Sequence, residues 1–191
     1  MSVVWIDGLD RTGKDTQCKY LLPVISPCIN IHGYNCAGID DKTQQVIQKI
    51  NVIEELEMFD RNASTQFLCN RTHLGELVYG WLYRHYYADY IYEIEAQYQD
   101  KQWFKNSSLF VFVDVPENLI KREDGNSSNG FAIDNIRKEK ELFETAFRKS
   151  CVPNKKLINI DGKSIKEVNE EILEFLENRN LLKYQYDLLK A

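Results

Sequence analysis

The run VVWIDGLDRTGKDTQ at positions 3–17 decides how the rest of the chain is read. It opens on the β-favouring apolar residues Val3 to Ile6, then turns to glycine and charge in Gly8, Leu9, Asp10, Arg11, Thr12, Gly13, Lys14, Asp15 and Thr16. This fits the pattern G-x-x-x-x-G-K in the context that gives it meaning, after a strand and at the start of a helix. The implied chemistry is that of a polyphosphate cradle. Gly8 and Gly13 let successive backbone N–H groups turn inward around phosphate oxygens, and the opening turn of the helix adds partial positive charge. Lys14 is expected to bridge the β- and γ-phosphates of ATP, and Thr16 to donate to the α-phosphate. Asp15 stands where serine or threonine is usual, and its carboxylate is the expected ligand for Mg²⁺, a hard cation. The added negative charge disfavours ATP without bound metal. The competing reading is a glycine turn that merely joins a strand to a helix.

Outward from this loop, strands and helices alternate. The spacing predicts a helix to about Leu22 and a second strand over Cys28 to His32. A helix from Asp41 to about Met58 follows, capped by an aspartate, with Val46, Ile50 and Ile53 at helical spacing. Thr65 to Cys69 is a third apolar run, and a long tyrosine- and tryptophan-rich helix is predicted from Glu76 to about Gln99. Leu109 to Val115 is an unbroken apolar strand of the kind buried in a parallel sheet, stopped by Pro116, with a helical segment to Arg122. Residues 125–130 form the flexible part of an expected lid over about 122–137, ahead of a charged helix from Asp134 to Lys149. Leu157 to Ile160 is the last predicted strand. Ser164 and Glu167 then make a capping-box pattern before a helix carrying Ile165, Val168, Ile172, Phe175 and Leu176 on one side. The alternation predicts a single α/β domain over residues 1–191. It is expected to be a three-layer sandwich of the P-loop NTPase type, with a five-stranded parallel sheet and helices on both faces. The apolar tail from Leu181 carries no readable role.

Composition narrows the class. A length of 191 residues, 43% hydrophobic and 28% charged, describes an ordinary globular chain able to bury a core. A net charge of -5 argues against a protein that coats nucleic acid, while leaving room for a local basic site. The first apolar run is too short for a signal peptide or a membrane span, and no later stretch reaches the length a span needs. The five scattered cysteines suggest reduced thiols, and the chain is expected to be cytoplasmic. Cys28, His32 and Cys36 recur every four residues, but no tight pair or fourth ligand accompanies them, so zinc is not the expected reading.

Residues 8–17, GLDRTGKDTQ, resemble the phosphate loop of thymidylate kinases, including the Leu-Asp-Arg insert and the trailing Thr-Gln. Phe67-Leu-Cys-Asn-Arg71 is similar to that family's apolar strand ending in Asp-Arg, and Leu109 to Pro116 to its strand and turn before the lid. The extended run from Asn70 to Arg84 looks more like viral and phage members of the group. The resemblance implies a P-loop kinase that transfers phosphoryl from ATP, with Mg²⁺, to a deoxynucleoside monophosphate, dTMP or a modified pyrimidine among the candidates. It further implies that Asp10 and Arg11 face the reacting phosphates and the acceptor sugar, and that Arg71 holds the acceptor 5′-phosphate bidentately. Arg122 and Arg137 would flank the lid closing over ATP. Small-molecule nucleotides are the implied partners, and a homodimer is common in the family. Two departures stand out. Asn70 replaces the family's aspartate, and residues 32–38 lack the Arg-Glu-Pro-Gly-Gly pattern that helps form a thymidylate site.

Other candidates keep two readings. Asp114, ending an apolar strand, is either a Walker B-like aspartate or a cap beside Pro116. Asp7 either reaches a metal-bound water or simply ends its strand. Tyr79 and its neighbours Tyr83, Tyr86, Tyr87 and Tyr90 line a core or groove wall, or stack on an acceptor base. His73 either donates to a phosphate or is a polar loop residue. Glu76 is either a charge at a helix N-terminus or the general base of a kinase acting on a hydroxyl. That hydroxyl kinase, and a nucleotide-binding module without catalysis, are the rival functions.

Overall fold

The structure, a computed structural model, describes residues 2–25, 28–29, 40–62, 65–122 and 132–181. Its strands are β1 (Val3–Gly8), β2 (Cys28–Ile29), β3 (Phe67–Asn70), β4 (Ser108–Val113) and β5 (Asn154–Asn159). They pair in parallel in the order β2-β3-β1-β4-β5. The helices are α1 (Lys14–Leu21), α2 (Asp41–Arg61), α3 (Leu74–Tyr83), α4 (Tyr90–Tyr98), α5 (Gln102–Lys105), α6 (Pro116–Lys121), α7 (Ile133–Lys149) and α8 (Ile165–Glu177). The expected five-stranded sheet is corrected in one respect. Four strands of four to six residues form its body, and Cys28–Ile29 adds only a two-residue pairing at the edge.

Side chains alternate across β1, so neighbouring residues feed different cores. Val3 and Trp5 enter one with Leu56, Phe59, Trp103, Phe104 and Phe143, while Val4 and Ile6 enter the other with Leu21, Phe110, Phe112, Ile172 and Leu176. Every residue of β1 and β4 is buried, the condition of a parallel sheet covered on both faces. An open α/β sheet places its ligands at the carboxyl ends of such strands.

Three element predictions are revised. The long helix over 76–99 is broken into α3, α4 and α5. The chain reverses at Arg84 and His85, the latter at φ 55°, and the Tyr86 N–H returns to the Gly80 carbonyl at 3.1 Å. A side chain at Gly80 would put its Cβ 2.8 Å from Tyr86 Cε2, so the missing side chain is what admits the ring. In α2, Val46 and Ile50 face solvent at 58% and 49% exposure, and Gln44, Gln48, Val52, Leu56 and Phe59 turn inward. Packing of Leu56 and Phe59 in the Trp5 core sets this rotation, against the apolar stripe read from the sequence. In α8 the capping box forms as predicted, and Val168, Ile172, Phe175 and Leu176 are buried, but Ile165 is exposed.

Two smaller boundaries also move. The last strand starts three residues before the predicted Leu157 and carries two lysines. Lys155 Nζ donates to the Phe147, Arg148 and Ser150 carbonyls at 2.8, 3.1 and 2.6 Å, closing the C-terminal end of α7. The expected lid range overlaps α7, which already includes Ile133 to Arg137. Residues 123–131, His32 with Cys36, and the tail beyond Leu181 lie outside the described residues. No helix among the described residues is long and apolar enough to cross a membrane.

Candidate functional site

Gly8 closes β1 against β4 at φ 124°, where a Cβ would stand 2.1 Å from the Phe112 carbonyl oxygen, so glycine is required by space as well as by conformation. Gly13 sits at the start of α1 with φ 81° and open space around it, so there only the backbone conformation demands glycine. Between them Arg11 also adopts a left-handed φ of 65°, and Thr12 Oγ1 closes the turn on the Leu9 carbonyl at 2.7 Å. Lys14 Nζ folds back inside the loop onto the Gly8 and Leu9 carbonyls at 2.9 and 2.6 Å. Burial pushes this ammonium down to about 8, with Arg71 adding to the effect against Asp10, Asp7 and Asp15.

The loop after β3 meets this one. Arg71 takes φ 78°, its N–H donates to the Ile6 carbonyl at 2.7 Å, and its guanidinium reaches Asp10 Oδ1 at 2.8 Å. Asp10 Oδ1 lies 3.9 Å from Lys14 Nζ as well. Burial alone would raise the Asp10 carboxyl, but Lys14, Arg71 and Arg11 outweigh it and hold the group below its ordinary range. Asp7 ties the two loops together. One carboxylate oxygen accepts from Gly8 N at 2.9 Å and the other from Thr72 N and Oγ1 at 3.1 and 2.7 Å. Neither reading of Asp7 from the sequence anticipated this joining role.

Asn70 Nδ2 donates to Asp15 Oδ1, and Asn70 Oδ1 is buried without a hydrogen-bond partner. The two substitutions that depart from the usual pattern thus touch each other. An amide oxygen with no donor beside a carboxylate suits a hard cation, which favours oxygen ligands. No group of three His, Cys, Asp or Glu side chains that could hold a metal occurs among the described residues. Asp15 and Asn70 Oδ1 thus present two neighbouring oxygens of the kind a hard cation takes.

One site residue had no sequence signature. Glu139, on the inner face of α7, is 9% exposed, accepts from the Tyr83 hydroxyl, and lies within electrostatic reach of Asp10, Lys14 and Arg71. Burial raises its carboxyl, as does Asp10, against Tyr83, Lys14 and Arg71. Tyr79 stacks on Tyr83 with centroids 6.1 Å apart, and its buried hydroxyl has no hydrogen-bond partner. Asp10, Lys14, Arg71, Tyr79, Tyr83 and Glu139 form one cluster, with burial, then Asp10 and Glu139, keeping Tyr79 protonated. Glu139 is one of many charges in the Asp134–Lys149 helix, and only packing of α7 against α3 selects it.

The other predicted residues fall outside this cluster or at its edge. Glu76 accepts from Arg84 and Tyr86, which hold the reversal after α3; its carboxyl is raised by burial, against both partners. Arg122 is paired with fully buried Asp114 at 2.9 Å and touches the Arg11 carbonyl at 3.5 Å, so it borders the phosphate loop. Asp114 also accepts from Val115 N and Asn118 Nδ2 at 2.7 and 3.1 Å, the capping arrangement among its two readings. Arg137 pairs at the surface with Glu117 and Asp134, linking α6 to α7. Thr16 is half-buried in the first turn of α1. His73 faces neither Arg71 nor Lys14 but the buried Glu95, at 2.7 Å.

No protein-family model matches the chain, and no curated protein matches it in sequence. Solved structures do share its fold. The Bacillus subtilis protein YorR, solved in complex with phosphorylated GDP, is 15% identical over 96% of this chain and 100% of its own, with a TM-score of 0.67. Thymidylate kinase from Candida albicans is 17% identical over 94% and 92%, TM-score 0.67. The Ehrlichia chaffeensis thymidylate kinase is 13% identical over 92% and 98%, TM-score 0.62. At these identities the likeness shows a common α/β architecture, a parallel sheet flanked by helices.

Proposed function

We propose that the chain transfers the γ-phosphoryl group of ATP to a deoxynucleoside monophosphate. The observation that carries this reading is the convergence of two phosphate-binding cations from separate loops on one carboxylate. Asp10 Oδ1 is 2.8 Å from Arg71 and 3.9 Å from Lys14. A donor phosphate on the loop 8–16 and an acceptor phosphate on Arg71 would then be neighbours, and positioning is most of what phosphoryl transfer requires. The thymidylate kinase likeness in fold supports the same reading.

In this mechanism an acceptor phosphate oxygen attacks the γ-phosphorus as the bond to the β–γ bridging oxygen breaks, its electron pair leaving with ADP. Lys14 leaves the Gly8 and Leu9 carbonyls for the β- and γ-phosphates, and Arg71 fixes the acceptor. Arg11 and Arg122 offset charge spread over the transferring group. A phosphate monoester is already an anionic nucleophile, so no protein base is needed. Asp15 with Asn70 Oδ1 would hold Mg²⁺, which would supply positive charge against that of the polyphosphate. Tyr79, Tyr83 and Glu139 form the wall facing the acceptor, where a carboxylate suits a sugar hydroxyl.

The test is ADP release with ATP and Mg²⁺ against panels of deoxynucleoside monophosphates, ribonucleoside monophosphates and nucleosides. Turnover with a monophosphate, lost in Arg71→Ala, supports the reading and names the base. Turnover with nucleosides alone would make the chain a hydroxyl kinase, and none with any acceptor would leave a nucleotide-binding module.

A further inference from the structure

Behind the site lies a second polar cluster that the proposed reaction does not use. Glu95, on α4, has no exposed surface, and His73 is 3% exposed. One Glu95 oxygen accepts from His73 Nε2 at 2.7 Å and from Ser150 Oγ at 2.8 Å, and the other from Cys151 N at 2.9 Å. The imidazole packs edge-on against Trp5, with centroids 5.4 Å apart. A buried carboxylate desolvated this completely persists only when its oxygens are satisfied, and here they are satisfied from two elements distant in sequence.

Those two elements matter for the site. His73 lies two residues after Arg71, in the loop that must hold a non-glycine residue at φ 78°. Such a conformation persists where its surroundings over-determine it. The Arg71 N–H bond to Ile6 and the Thr72 bonds to Asp7 restrain the loop from the sheet side. On the helix side, His73 ties the loop to α4 through its hydrogen bond to Glu95. Ser150 and Cys151 immediately follow α7, the helix that carries Glu139. One carboxylate thus couples the loop presenting Arg71 to the end of the helix presenting Glu139.

We propose that Glu95 is a positioning residue: acting through His73, it holds Arg71 in its left-handed conformation and sets the register between the Arg71 loop and α7. It touches neither substrate. Assigning Arg71 to the acceptor rests on the function proposed above, whereas the mechanical coupling does not.

The first experiment is therefore amide hydrogen exchange on the nucleotide-free protein. Glu95→Gln and His73→Gln should speed exchange at the Arg71 and Thr72 amides by at least about tenfold, while the Gln17 amide in α1 keeps its protection. Ser150→Ala, which removes one bond to Glu95 outside the loop, should give a smaller change at the same amides and serves should the charge variants fold poorly. Equal loss of protection throughout the chain, or none at Arg71 and Thr72, overturns the proposal. Steady-state kinetics form the second arm. Acceptor KM should rise about 10- to 100-fold in Glu95→Gln, with ATP KM unchanged, because misplacement by an ångström at the acceptor is enough for that loss. The double variant with His73→Gln should be no worse than either single one. ATP and acceptor KM rising together would mean a merely structural role. If wild-type protein shows no phosphoryl transfer, the functional reading fails while the exchange result still decides the coupling.

Discussion

On the proposed function, Lys14 is poised in its loop before any nucleotide arrives. Its ammonium caps two backbone carbonyls of its own loop, and burial brings it down to about 8. Phosphate oxygens favour the protonated form, so nucleotide binding draws a proton back whenever the free protein has lost it. ATP affinity should be flat below about pH 8 and fall by about tenfold per pH unit above it, until the bound-state value is passed. Titrations of ATP between pH 6.5 and 9.5 check this, and Lys14→Met should bind weakly with no slope there; a slope that survives in Lys14→Met would clear the lysine. Gly8 makes a different demand. Its Cβ would fall inside the van der Waals surface of the Phe112 carbonyl, so Gly8→Ala should cost about 2 kcal/mol or more of stability by strain and overpacking. Gly13→Ala meets no neighbour and pays only for its φ of 81°, so denaturant midpoints should rank Gly13→Ala above Gly8→Ala.

At the scale of elements, α2 was placed by Leu56 and Phe59, and that rotation brings Glu55 Oε1 into the interior, without a hydrogen-bond partner, although the residue as a whole is half-buried. Burial pushes the Glu55 carboxyl up to about 7, against His73 and the Trp5 indole. Between its ordinary value of 4.5 and about 7 the folded chain keeps a proton that the unfolded chain has released. Stability contributed by this group is present below 4.5 and is lost as pH rises through 7. Glu55→Gln should flatten this part of the stability–pH curve and raise stability at pH 8 by roughly 1–3 kcal/mol, read from urea unfolding at pH 5 and pH 8. An unchanged slope would show that Glu55 titrates normally. The reversal after α3 is tested by Gly80→Ala, whose Cβ would press on the Tyr86 ring. A loss of about 1–3 kcal/mol is expected, less if the ring edge gives way, with Trp81 and Tyr86 reporting by fluorescence.

For the molecule as a whole, the site is assembled from β1, β3 and α7, which are far apart in sequence and share no local contact before folding. Ligands that span them should therefore stabilise the entire structure and not one segment. ATP with Mg²⁺ at 100 times its dissociation constant should add about 2.7 kcal/mol, which is about 5–10 °C in Tm for a chain of this size. A further rise with a deoxynucleoside monophosphate, present in wild type and absent in Arg71→Ala, would locate acceptor binding at the β3 loop. A rise with ATP and Mg²⁺ but no further rise with any acceptor would speak for the binding-module alternative.

The sequence determined the parts whose cause is local. Residues 3–17 carry their own strand, turn and helix start, because glycines at positions 8 and 13 permit the positive-φ turns that few other residues adopt; the buried strand 109–113 and the Ser164 capping box are equally local. What it left open depended on partners far along the chain. The break after α3 has no proline or glycine at the turn itself; it comes from Tyr86 finding the bare surface of Gly80 and the carboxylate of Glu76. Of the acidic residues of α7, Glu139 alone was chosen for the site, by the packing of that helix on α3, as Glu76 was withdrawn from it by Arg84. The face of α2 that turned inward followed Phe59 against Trp5, not the stripe of Val46 and Ile50. Periodicity records which residues are apolar, but the depth to which each sinks, and which charge meets which, is decided only when separate elements close on one another.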